Sequence, residues 1–154
     1  MRVRPGRVRA AAAIVAACAC PVSSTMTFSA TPPADLGVRD GRLKPCPETP
    51  NCVSSQRQGK HYVAPLAFAD APDAALARLK SLLSGLERVR IVAESAGYLR
   101  AEASSRVFGF VDDLEFHVDA AARVVQVRSA ARLGYSDFGV NRKRMERIRA
   151  QFTL

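Results

Sequence analysis

The sequence predicts an α+β domain. It should hold an antiparallel sheet of about four to five strands, with one helix after the first strand and another at the C-terminus, in the order β-α-β-β-β-β-α. Three observations predict it. Leu76, Leu79, Leu83 and Leu86 recur at helical spacing. From Val89 onward, three stretches alternate apolar with polar residues. Met145, Ile148 and Phe152 then form an apolar stripe on an otherwise basic segment.

Taken in order, Tyr62–Phe68 reads as extended. Asp70-Ala-Pro-Asp73 supplies a cap, an early proline and an acid three residues on, a helix start that leads into the leucine stripe, with Gly85 near its end. Val89, Ile91 and Ala93 form one apolar face, and Leu99, Ala101 and Ala103 form the next. The run Phe108–Val118 is expected to place Phe108, Phe110, Leu114, Phe116 and Val118 on one face, with Asp112 interrupting it at a bulge or bend. A loop at Asp119–Ala122 leads into Arg123–Ala130, and Asn141–Phe152 closes the chain as a helix.

Upstream lies a different kind of sequence. Residues 1–9 carry Arg2, Arg4, Arg7 and Arg9 without an acid, and residues 10–17 are apolar and small. That pairing is an export leader, too short to span a bilayer. Val15-Ala16-Ala17-Cys18 resembles the bacterial lipobox, whose cysteine is acylated after cleavage; an ordinary cut after Ala17 is the alternative. Three acyl chains, at about 0.8 kcal/mol per buried methylene, would hold the protein on a membrane. Ala19 is not the aspartate that retains enterobacterial lipoproteins at the inner membrane, so outer-membrane transfer is the default expectation. Residues 18–42, rich in Ser, Thr, Pro and Gly, read as a flexible linker, leaving 43–154 as a single domain. The expected address is the cell envelope, lipid-anchored and periplasm-facing, or otherwise the periplasm itself.

The net charge of +9 is unevenly placed. Without residues 1–17 the chain carries 19 basic against 14 acidic residues, and residues 123–154 hold eight basic and two acidic ones. No aromatic residues alternate with that basic run to stack bases, and no helix-turn-helix or zinc-finger spacing appears, so no nucleic-acid partner is expected. No phosphate-binding loop or dinucleotide glycine motif is present, and no cofactor is expected.

Cys46 and Cys52 bracket Pro45-Cys46-Pro47-Glu48-Thr49-Pro50-Asn51-Cys52, a loop bent by three prolines. In an oxidising compartment the pair is a disulfide candidate; reduced structural cysteines or a metal pair are the alternatives. Cys20 has no evident partner. The stretch Cys46-Pro-Glu-Thr-Pro-Asn-Cys-Val-Ser-Ser-Gln56 resembles the opening motif of the family called domain of unknown function 1499. Tyr98–Glu102, Phe108–Phe116 and Val127–Arg144 resemble its later blocks, in order. The resemblance covers roughly residues 43–152 and implies one compact domain, often exported in bacteria, with no activity attached. The polar motif residues fall on Ser54, Ser55, Asp112, Asp113, Glu115, Arg128, Ser129, Arg132, Ser136, Asp137, Asn141 and Arg142. Ala131 stands where serine is expected.

One constellation follows from strand register. If Asp119–Ala122 is a four-residue hairpin loop, Val118 faces Arg123, Phe116 faces Val125 and Leu114 faces Val127. The opposite face then sets Asp113 across from Arg128 and Glu115 across from Gln126, with His117 nearby. The preceding hairpin, with Ala103 facing Phe108, adds Arg100 and Glu102. Such a face could be solvated, locked by arginines of 132–144, or open as a cleft. In the cleft, Asp113 and Glu115 are catalytic candidates or cation ligands, while Arg128, Arg132, Asp137, Asn141 and Arg142 bind an anion. No dedicated metal site is expected. Ser54-Ser55 lacks a glycine elbow and a fixed histidine partner, which argues against a serine hydrolase. The leading expectation is a non-catalytic envelope domain that binds a small anionic ligand or a partner protein through the sheet face and the basic C-terminal segment. A hydrolase or metal-dependent enzyme using Asp113 and Glu115 is the rival.

Overall fold

The computed structural model describes residues 30–106 and 108–153. The leader, Cys18 and Cys20 lie outside the described residues. Short strands open the fold. β1 (Val38–Arg39) and β2 (Arg42–Leu43) pair across Asp40-Gly41, both in left-handed backbone at φ 51° and 70°, as a two-residue hairpin turn requires. All of this hairpin except Leu43 lies within the stretch read as linker, and it packs on the domain: the Gly37 amide donates to Glu115 Oε1 at 2.7 Å. β3 (Cys52–Ser54) and β4 (Leu66–Ala67) follow, then α1 (Pro72–Ser84), β5 (Val89–Ser95), β6 (Tyr98–Ser104), β7 (Val111–Asp119), β8 (Val124–Ala131) and α2 (Val140–Phe152).

The main sheet is antiparallel with six strands rather than four to five, ordered β3-β8-β7-β6-β5, and β4 also pairs with β8. The β1–β2 hairpin is separate. The strands beyond the expected number are two or three residues long, so they show no period for a sequence to reveal. Both helices lie on one sheet face, where Leu79 and Leu83 of α1 and Met145, Ile148 and Phe152 of α2 pack against Leu99, Leu114, Phe116, Val125 and Val127. Arg78 of α1 stacks over the Phe152 ring at 4.3 Å, tying the helices together.

Several local expectations are corrected. Asp70 does not cap α1. Ala71 holds that position without a side-chain bond, and Asp70 pairs with Arg78 instead. β7 has no bulge at Asp112; the sheet's register shift lies in β5, between Ile91 and Ala93. Asp112 stays on the helix face because Arg144 of α2 meets it there at 2.8 Å. Phe108 and Phe110 are not in the core. β7 begins at Val111, Gly109 turns the chain at φ 64°, and the two rings are 66% and 45% exposed.

The β7–β8 register is displaced by two. Val118 faces Val125, Phe116 faces Val127 and Leu114 faces Ser129. The loop does hold four residues, but they are 120–123, with Arg123 in left-handed backbone and the Ala122 amide bonded to Asp119 Oδ1 at 3.0 Å. A shift of two leaves every side chain on its expected face while changing its partner. Arg128 therefore faces Glu115, and Asp113 faces Ala130. The β6–β7 hairpin is displaced by four, again an even number, and Ala103 faces Asp112 rather than Phe108.

Candidate functional site

The sheet face away from the helices carries the expected charges, and it is sealed. Cross-strand pairing sets Arg100 opposite Glu115, Glu102 opposite Asp113, and Glu115 opposite Arg128. Glu115 is fully buried, and Asp113 and Arg128 nearly so. Arg128 Nη1 donates to Glu115 Oε2 at 3.0 Å, while Glu115 Oε1 accepts from the Gly37 amide and from Tyr98 Oη at 2.9 Å. Arg132 forks Asp113, with Nε to Oδ2 at 2.8 Å and Nη2 to Oδ1 at 2.7 Å, and reaches Glu102 Oε1 at 2.5 Å. Its Nη1 also donates to the Ala30 carbonyl at 2.9 Å. This bidentate geometry suits a guanidinium and commits both Asp113 oxygens within the fold, while Glu102 stays partly exposed and is also met by Arg90.

Charge bookkeeping in this cluster is readable from its partners. Burial works to raise Glu102, but hydrogen bonds from Arg132 and Arg90 outweigh it and hold the carboxyl below its ordinary value. The hydrogen bond to Asp113 raises Arg132 further above its already high value. Burial, then the Glu115 charge, pushes the Tyr98 phenol up. Asp113 and Glu115 thus serve an arginine lock, and neither stands as a free acid, base or cation ligand.

A second polar cluster lies on the helix side of β7 and β8. Asn141 and Ser129 are fully buried and bonded to each other through Oδ1 and Oγ. Arg144 Nη1 donates to Asn141 Oδ1 at 2.8 Å while its Nη2 meets Asp112. Asn141 Nδ2 donates to the Asn51 carbonyl at 3.4 Å, and Asn51 Nδ2 donates to the Gly134 carbonyl at 2.6 Å. Burial pushes Asp112 above its ordinary value against the pull of Arg144. Asp137 accepts from the Gly139 and Asn141 amides at 3.0 and 2.8 Å, so its carboxylate ties down the start of α2. Arg142 grips the Tyr62 and Lys60 carbonyls, both at 2.6 Å.

The five residues read as an anion-binding set therefore do not converge. Arg128 and Arg132 sit under the hairpin, whereas Asp137, Asn141 and Arg142 secure α2 on the other side of the sheet. The motif hydroxyls near the cysteines are structural too. Ser55 Oγ donates to Gln126 Oε1 at 2.7 Å and accepts from the Val127 amide at 2.8 Å. Ser54 Oγ accepts from the Gln56 amide at 3.1 Å. Gln56 Oε1 accepts from the Leu43 amide at 2.8 Å, fastening the hairpin. Cys46 and Cys52 form a disulfide. No cluster of three or more His, Cys, Asp or Glu side chains suited to a metal ion occurs among the described residues.

What remains open lies elsewhere. A groove of about 420 Å³ runs between α2 and the β5–β6 edge, and Arg88, Arg106, Lys143, Arg144 and Arg147 line it against a single acid, Glu87. Arg88 pairs with Glu87 and Arg144 with Asp112. Arg106, Lys143 and Arg147 have no ion-pair partner among the described residues. The basicity of the C-terminal segment is legible in the sequence, but the grouping of these three is not, because Arg106 sits in a loop 34 residues before α2 begins. A second concavity of about 580 Å³ lies beside the β1–β2 hairpin, bordered by Arg42, Ser55, Arg57 and Gln126. A small one of about 90 Å³ is bordered by His61, Asp137 and Arg142. There, buried His61 places Nδ1 2.9 Å from the Cys52 carbonyl, which makes that nitrogen the donor.

A two-layer α+β domain with a buried arginine–carboxylate lock defines the class of this protein. Residues 42–152 match the family described as protein of unknown function (DUF1499), and the chain belongs to it. No curated protein matches the chain.

Proposed function

We propose that this chain is a lipid-anchored, periplasm-facing envelope domain that is not a catalyst and that holds an anionic group in the groove between α2 and the β5–β6 edge. The observation that carries this reading is the ring of Arg106, Lys143 and Arg147 around an open concavity, with no carboxylate committed to any of them. Elsewhere among the described residues every arginine except Arg39 is paired with a carboxylate or bonded to a carbonyl, so three uncommitted cations at one place mark where an external anion would complete the charge balance. The sheet face expected to share this task does not support it, because hairpin and lock cover it. That same burial argues against a hydrolase or cation-dependent enzyme built on Asp113 and Glu115, whose oxygens already accept from Arg132, Arg128, Gly37 and Tyr98.

The anchoring half of the reading rests on the leader and the Val15–Cys18 motif. No helix among the described residues is long and apolar enough to cross a membrane. Metabolic labelling with palmitate should mark the wild-type chain and leave Cys18→Ser unlabelled. Equal labelling of both would remove the acylation site from Cys18.

The groove is tested with inorganic phosphate as the probe. At matched ionic strength it should raise the melting temperature relative to chloride, by the equivalent of about 1.4 kcal/mol at ten times the dissociation constant. Arg106→Ser combined with Arg147→Ser should abolish the increment. An increment that persists in the double variant, or that chloride reproduces, rejects the groove.

A further inference from the structure

Among the described residues, six of the seven exposed large apolar ones gather at one end of the domain, the end where the β6–β7 and β8–α2 loops emerge. They are Phe108, Phe110, Leu133, Tyr135, Phe138 and Val140, and Phe138 is 89% exposed. The two loops are neighbours by register: Ser104 faces Val111, Asp112 faces Ala131, and the Arg132 amide donates to the Val111 carbonyl at 3.2 Å. Scattered surface apolar residues are ordinary, whereas a cluster of this kind marks a surface that meets something apolar. Phe138 is also held in left-handed backbone at φ 53°, costly for a bulky side chain, with its ring directed away from the core.

The cations of the groove adjoin the same end, since Arg106 follows β6 directly and Lys143 and Arg147 lie on the first turns of α2. Aromatic side chains beside uncommitted arginine and lysine form the pattern of a headgroup-level anchor, with rings at the acyl boundary and cations among phosphates. The tether points the same way. The described chain begins at Ala30, whose carbonyl is held by Arg132 at this end of the sheet. Twelve residues lie from there back to Cys18, a reach of at most ~40 Å.

We infer that this end of the domain docks on an anionic phospholipid surface, its aromatic loops entering the headgroup–acyl boundary while Arg106, Lys143 and Arg147 contact lipid phosphate. This names the anion of the groove and rests on that reading. It is distinct from the lipid anchor, because the surface binds with no acyl chain attached.

The chain contains no tryptophan, so one introduced in the loop is a unique reporter. In the full chain carrying Cys18→Ser and Phe138→Trp, vesicles of phosphatidylglycerol and phosphatidylcholine should shift the emission to the blue. Brominated acyl chains should quench it, and phosphatidylcholine alone should do neither. Any vesicle contact by the leader is common to all variants and does not carry Trp-reported depth at position 138. Adding Arg106→Ser and Arg147→Ser should lower partitioning about thirtyfold, at roughly fivefold per cation. An unshifted, unquenched signal on phosphatidylglycerol vesicles overturns the docking, as does a shift that arises without vesicles together with a doubled mass. Docking that fails while phosphate still protects the groove from melting leaves the groove reading intact and rejects only the bilayer.

Discussion

Arg132→Met should cost about 3–5 kcal/mol and lower the melting temperature by roughly 10–20 °C, because it strands two carboxylates under a hairpin. The native guanidinium occupies both oxygens of Asp113 and one of Glu102, and its side chain is almost wholly buried. Methionine fills similar volume but supplies no donor. The loss comes from uncompensated charge, since a buried ion pair taken whole is worth little beside an apolar substitute. Combining Arg132→Met with Asp113→Asn and Glu102→Gln should therefore recover much of the stability. A single variant that melts within a few degrees of wild type would mean that the face is open to water.

The lock also has a pH signature. Glu102 is held below its ordinary value, so its contribution is present at neutral pH and is lost as pH falls through that lowered value. Asp112 is raised, so its contribution has the opposite sign: ionising it costs stability, and acidification through the raised value relieves that cost first. In Arg132→Met the Glu102 component should shrink while the Asp112 component persists.

Phe116→Ala should cost about 3–5 kcal/mol, read as a lower urea midpoint at unchanged slope. Phe116 is fully buried, faces Val127 on β8 and Leu99 on β6, and packs in the core beneath both helices. Phe108→Ala should change stability by less than about 0.5 kcal/mol, since that ring is mostly exposed. The contrast separates the two assignments of β7. A strand reaching back to Phe108 would make both changes costly.

Much of this was legible in the residues. The leucine stripe, the three alternating stretches and the Met145–Phe152 stripe each led to the right element, because a buried face imposes its period on the sequence. The charged face was legible for the same reason, since alternation assigns faces without needing exact partners. Partners were not legible. Both hairpin loops were placed early, the β7–β8 loop by one residue at each end and the β6–β7 loop by one at its start and three at its end. Because both register shifts are even, cross-strand neighbours change while every side chain keeps its face. Asp40-Gly41 did carry a hairpin signal, but two-residue strands flanked by arginine give no pattern to support it. Phe108 and Phe110 continued the inward phase of β7 in sequence, and no helix lies over them to complete a core.

By itself the sequence determined the α+β class, the two helices, the side of the sheet on which the strand charges stand and the family to which the chain belongs; which of its alternatives the Cys46 and Cys52 pair takes came from the structure. Only the tertiary structure decided what those charges do. A hairpin largely from the supposed linker and a single arginine beyond β8 close over Asp113 and Glu115, while cations from two segments far apart in the chain, Arg106 and the Lys143–Arg147 pair of α2, are left around one open groove. Burial and pairing depend on which distant segments meet, and local composition carries no record of that.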